Sequence, residues 1–176
     1  DYASRCTDKK SVATLVLKVN LEDAYGVRDS LIARAGEFLP EPLIRGMIST
    51  LQGRVERAQG EYKKRDHLRL IESLARQIKD AQLYQETCLA MWGETSTAAL
   101  IDIAQVYLES GDAETAHEWI KKFPEEATFQ RDERDEVLAE IYRAQGDTEN
   151  LGEVLYQNFR SSPTVSSLQA LLAVIG

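Results

Sequence analysis

The sequence predicts an all-α protein. Three observations carry that expectation. Apolar residues recur at three- and four-residue intervals rather than alternating, and Gly, Pro and Asp interrupt them at spacings that suit helical hairpins. One helix, Gly, Asp, helix segment also occurs twice in the C-terminal half.

Taken in order, Val12, Leu15, Val16 and Val19 form the first apolar stripe. Val27, Leu31, Ile32, Ala35, Phe38 and Leu39 form the second, which Pro40 stops. Pro42 suits the first turn of a third helix, where its missing N–H costs nothing, and Leu43, Met47, Leu51 and Val55 continue one face, with Gly60 ending the helix or following closely. Leu70, Ile71, Leu74, Ala75 and Ile78 mark a fourth helix. Asp80 stands at the N-cap of a fifth, ahead of Leu83, Tyr84 and Leu89, where its carboxylate can accept orphan backbone N–H groups.

Laying residues 104–120 over 139–155, a displacement of 35, matches Ala104 with Ala139, Tyr107 with Tyr142, Gly111 with Gly146, Asp112 with Asp147 and Glu114 with Glu149, and sets Ile120 on Leu155. The glycine suits a left-handed C-terminal cap and the aspartate the N-cap of the next helix. A weaker third copy overlays Asp80-Ala81 on Asp112-Ala113 at a displacement of 32, with Lys79 in the glycine's place. These residues resemble the tetratricopeptide repeat, which sets a small residue, an aromatic, a glycine and a second small residue at fixed offsets in a period of about 34. Ala104, Tyr107, Gly111 and Ala116 fit, whereas Leu151 fills the second small slot of the next copy, and Pro124 implies an early stop followed by a long connection over 125–133. The chain, including Tyr25-Gly26-Val27-Arg28-Asp29 and Arg131-Asp132-Glu133-Arg134-Asp135-Glu136, is also similar to an uncharacterised bacterial family of helical domains of unknown function. The resemblance implies an α-α superhelix of about ten helices and implies no activity. It gives a single array over 1–176, with N-terminal hairpins over 1–79 and repeats over 80–176.

At 176 residues the chain can bury a core without disulfide or metal staples. Cys6 and Cys88 are far apart and outside any Cys-x-x-Cys or Cys/His cluster, so metal and dithiol redox sites have no ligand set to start from. No apolar run reaches the length of a membrane span and residues 1–20 lack a signal-peptide pattern, so a cytoplasmic location is expected. Asp1 rather than Met at the first position points to a piece of a longer chain. The net charge of -8 is uneven. Residues 45–79 carry 9 basic and 4 acidic groups, giving +5, residues 80–176 carry 6 and 18, giving -12, and residues 1–44 carry 6 and 7, giving -1.

Chemistry-bearing constellations are sparse. His67 and His117 have no second ligand nearby in sequence, and His117 is expected at the surface, within reach of Glu114 or Lys121. Asp132, Glu133, Asp135, Glu136 and Glu140 read as a solvated helix start rather than a carboxylate pair split by burial. Ser96, Ser161, Ser162 and Thr164 read as caps, and no nucleophile elbow, Walker loop or dinucleotide fingerprint occurs. No catalytic residue, metal or cofactor is therefore expected. Arg54, Arg57, Lys63, Lys64, Arg65, Arg69 and Arg76 are expected to form one basic patch on two helices and their connection. Arg65, Arg69 and Arg76 are the candidate contacts for an acidic protein partner, with Trp92 as an apolar anchor. Aromatics such as Tyr107, Trp119, Phe123, Tyr142, Tyr156 and Phe159 are expected between helices. The leading expectation is a non-catalytic protein-binding or scaffolding module. The alternatives are an accessory or regulatory domain of an enzyme, and a nucleic-acid binder, which the single interleaved aromatic Tyr62 and the acidic total disfavour.

Overall fold

The structure is a computed structural model that describes residues 5–22, 29–93, 96–127 and 129–176. Among the described residues it is all-α, without strands. The elements are α1 (Lys9–Leu21), α2 (Asp29–Ala33), a 3-10 turn (Ala35–Glu37), α3 (Glu41–Arg57), α4 (Glu61–Gln77), α5 (Ala81–Trp92), α6 (Thr97–Glu109), α7 (Ala113–Ile120), α8 (Arg131–Gln145), α9 (Thr148–Ser161) and α10 (Val165–Ile175). The chain divides into two compact units, residues 1–93 and 94–176. The sequence-based division at residue 79 falls instead between α4 and α5, which pack on each other within the first unit.

In the first unit α3 packs on α4 and α4 on α5, while α1 lies against α3 and α2 against α4. Asp8 caps α1 by accepting the Ser11 N–H at 3.0 Å. The first stripe is rotated from the sequence expectation: Ala13, Val16 and Leu17 are buried, whereas Leu15 is 60% exposed. Val27 lies outside the described residues. The second helix stops at Ala33 instead of running to Pro40, because the chain tightens into the 3-10 turn and another element takes over its polar groups. Gln77 of α4 accepts the Gly36 N–H at 2.7 Å and donates to the carbonyls of Ile32 at 2.8 Å and Ser73 at 2.9 Å. α3 stops at Arg57 and Gly60 follows closely, where it serves as the N-cap residue of α4. Ile32, Ile44, Leu51, Ile71 and Leu74 centre one apolar cluster and are each no more than 2% exposed, so truncating one to alanine costs on the order of 2–5 kcal/mol. Arg45 ties α3 to the start of α5, reaching Glu41 at 2.9 Å and Asp80 at 2.8 Å.

The turn that the sequence shows clearly twice and weakly a third time occurs at all three places. Asp112 and Asp147 cap α7 and α9 by accepting the N–H groups of Thr115 at 3.0 Å and Asn150 at 3.1 Å, and Asp80 caps α5 by accepting that of Leu83 at 3.2 Å. The aspartate's own N–H reaches back to the carbonyl of Tyr107, Tyr142 or Ala75 at 3.0, 2.9 and 3.0 Å. Gly111 and Gly146 take φ of 92° and 72°, as a left-handed C-terminal cap requires, and Lys79 holds the equivalent place at φ 55°.

In the second unit α6 packs on α7, α7 on α8, α8 on α9 and α9 on α10, and α6 also touches α8. Ala104 and Ala116 are fully buried, in keeping with close helix approach. In the next copy Leu151 is buried too, and the close approach passes to Gly152, where a Cβ would stand 3.4 Å from Ile175 Cγ2 of α10. α8 begins at Arg131, earlier than the long connection implied. The Arg131 side chain donates to the carbonyls of Glu125 and Ala127 and so ties down that connection. Ser96 and Thr164 cap α6 and α10 as expected, whereas Ser161 and Ser162 lie at the end of α9 rather than at a helix start.

Candidate functional site

An α-helix advances about 100° per residue, so residues two apart point to nearly opposite sides. On α4 this puts Lys63 and His67 on one face and Arg65, Arg69 and Arg76 on another. The single basic patch expected from the sequence is therefore divided in two.

On the second of these faces Arg65 lies over the ring of Trp92, its guanidinium carbon 5.6 Å from the ring centroid. Trp92 ends α5 and is 56% exposed, and Tyr62, one turn before Arg65, is 81% exposed. A guanidinium on an exposed indole is worth about 0.5–1 kcal/mol, a modest bias toward this pairing. Arg69 pairs with Asp66 at 3.5 Å, one turn along from Arg65. Arg76 is half-buried in the last turn of α4, about 16 Å from Arg65 along the axis at about 1.5 Å per residue, where it complements the helix dipole. Glu72 shares this face, so the face is mixed in charge. Of the four residues singled out from the sequence, the structure brings Arg65 and Trp92 together, with Arg69 one turn along the same face of α4 and Arg76 at its far end.

The remaining candidates resolve into packing and solvation. His117 packs edge-on against the Tyr142 ring, with centroids 5.2 Å apart and planes at 79°. Burial holds its pKa below the usual imidazole value and Lys121 pushes the same way, against Glu118 and Asp147. Asp132, Glu133, Glu136 and Glu140 are exposed on α8, and the last three border a shallow depression with Asp102 of α6. Asp135 is bonded by Arg134, whose guanidinium also lies 5.7 Å from the Phe123 ring centroid. Among the described residues no group of three or more His, Cys, Asp and Glu is arranged to hold a metal ion. Trp119 and Phe123 are buried, and Phe159 packs on the cluster of Leu151, Leu155 and Leu171, but Tyr156 is 47% exposed and is not the interior residue expected.

Sequence reasoning missed an apolar groove of about 510 Å³ between α1 and α3, floored by Ala13, Leu17 and Met47. Its signal in the sequence is the four-residue spacing of Ala13 and Leu17, which sets both on one face of α1. It also did not separate Arg54, Arg57, Lys63 and His67 as a group, although their three- and four-residue spacings on α3 and α4 carry that information. No helix among the described residues is long and apolar enough to cross a membrane. No family model matches the chain, and no curated protein or solved structure matches it.

Proposed function

We propose that the protein is a non-catalytic binding or scaffolding module whose α4–α5 hairpin receives an acidic protein segment. The observation that carries this reading is the exposed Trp92 held under Arg65, flanked by the exposed Tyr62. Tryptophan, tyrosine and arginine are the side chains most enriched at binding hot spots, because each brings large contact area together with a polar handle. The surrounding cations speed the approach of an acidic segment more than they tighten the final complex. The threefold recurrence of one helix–turn–helix geometry supports a tetratricopeptide-like array, an architecture in which stacked hairpins present extended binding surfaces. The proposed setting is the reducing cytoplasm, which suits two free cysteines.

The test is selection from a displayed random-peptide library with the intact chain, followed by binding kinetics on the enriched sequences. The expected sequences combine Asp or Glu with an apolar anchor. Trp92→Ala should weaken them at least tenfold, and Arg65→Glu should slow association at low salt, each with an unchanged circular-dichroism spectrum. Failure to enrich acidic sequences, or full binding by both variants, would overturn the reading.

A further inference from the structure

We propose that the corner between α3 and α4 is a binding site for the phosphate or pyrophosphate group of a soluble small molecule. Arg54 and Arg57 lie on one face of α3, and Lys63 and His67 lie one turn apart on α4. The intervening Ala58-Gln59 closes a pocket of about 550 Å³ between them. The lining supplies three fixed positive charges and one titratable group, and contains no carboxylate. Among the described residues Arg54, Arg57 and Lys63 are in no ion pair.

Arg54 and Arg57 complement the C-terminal dipole of α3, and that alone would account for two of the four. It does not account for His67. The ring of His67 lines the pocket, and its Nδ1 is buried without a hydrogen-bond partner, a costly arrangement that rotation of the ring toward an acceptor in the pocket would relieve. Burial and then the fields of Arg54 and Lys63 hold its pKa down, opposed by Asp66, so these cations act on the same space as the imidazole. A phosphate group matches this set better than a carboxylate, since it offers more acceptor oxygens and more charge to several convergent cations. The pocket lies on the side of α4 away from Arg65 and Trp92, so the site is separate from the proposed protein-binding face.

The experiment follows the imidazole resonances of His67 and His117 by NMR in the intact chain across pH, with and without sodium pyrophosphate. Bound pyrophosphate should raise the His67 pKa by about one unit, because a nearby anion favours the charged ring. His117 should not move. Arg54→Gln with Lys63→Gln should weaken pyrophosphate at least tenfold while keeping the helical spectrum. If the double variant does not fold, His67→Gln with binding read by calorimetry makes the same test, again expecting at least a tenfold loss. Trp92→Ala should leave the titration unchanged, which separates this site from the proposed peptide face. An unmoved His67 at millimolar pyrophosphate overturns the proposal, as does equal movement of both histidines. So does a His67 response to a short RNA but not to pyrophosphate, which would assign the corner to nucleic acid instead.

Discussion

Lys79 sits at φ 55° in a turn whose two counterparts use Gly111 and Gly146. For a residue with a Cβ that conformation costs about 1–2 kcal/mol, whereas glycine adopts it freely but loses more entropy on folding. The two effects partly cancel, so Lys79→Gly should stabilise the chain by about 0.5 kcal/mol, read as a higher denaturant midpoint. Gly111→Val and Gly146→Val should each destabilise it by about 1 kcal/mol or more. A lower midpoint for Lys79→Gly would mean that the lysine side chain makes a compensating contact. The aspartates of these turns give a second test. Asp112 is held below the usual carboxylate range first by accepting the Thr115 backbone N–H, and Asp147 by the Asn150 side chain and then its backbone N–H. A depressed folded pKa means that this stabilisation is complete above the unfolded carboxylate value and is lost as pH falls through the folded one. Asparagine caps equally well but does not titrate in this range. Asp112→Asn with Asp147→Asn should therefore keep the neutral-pH melting temperature within a few degrees and flatten its fall under acid. An unchanged acid slope would place the sensitivity elsewhere. These caps were legible in the sequence because a capping aspartate acts on a backbone group three residues away.

At the scale of elements, what was legible again depended on range. The existence of α3, α4 and α6 to α9 followed from periodicity and punctuation, which are local. The ending of α2 did not, because the residue that satisfies its last turn is Gln77, 45 positions from Ile32 and 41 from Gly36. A glutamine on a predicted helix looks like a solvated side chain until the turn that it serves is in place. Its amide holds the Gly36 N–H and the Ile32 carbonyl together, so Gln77→Ala should cost about 1–3 kcal/mol, the penalty of leaving such groups without partners. Gln82→Ala, which removes only an exposed contact to Glu86 at 3.0 Å, should stay within about 0.5 kcal/mol and serves as the control. Equal losses in chemical denaturation would show that Gln77 contributes only its apolar stem. The division of the basic segment between two faces of α4 was present in the spacing of Lys63, His67, Arg65 and Arg69, but which face met Trp92 required the packing of α5 on α4.

Over the whole molecule the charge asymmetry of the sequence maps onto the two units. Residues 1–93 carry 15 basic and 13 acidic groups, or +2, and residues 94–176 carry 6 and 16, or -10. Repulsion among exposed like charges destabilises a compact state and is screened by salt, so the second unit should gain more from added salt than the first. Each unit contains one tryptophan, Trp92 in the first and Trp119 in the second, and Trp119 is buried under the Lys122 ammonium at 3.4 Å from its ring centroid. Trp119→Phe and Trp92→Phe therefore give chains whose fluorescence reports one unit at a time. Raising ionic strength from about 0.01 M to about 0.1 M shortens the Debye length from about 30 Å to about 10 Å, which removes most long-range repulsion while leaving close pairs such as Lys121 with Glu118 at 2.9 Å less affected. Urea unfolding followed at Trp119 should then shift to a higher midpoint, and unfolding followed at Trp92 should shift by less. Coincident transitions with equal shifts would instead mean that the two units unfold as one cooperative body, in which the charge of either is felt by both.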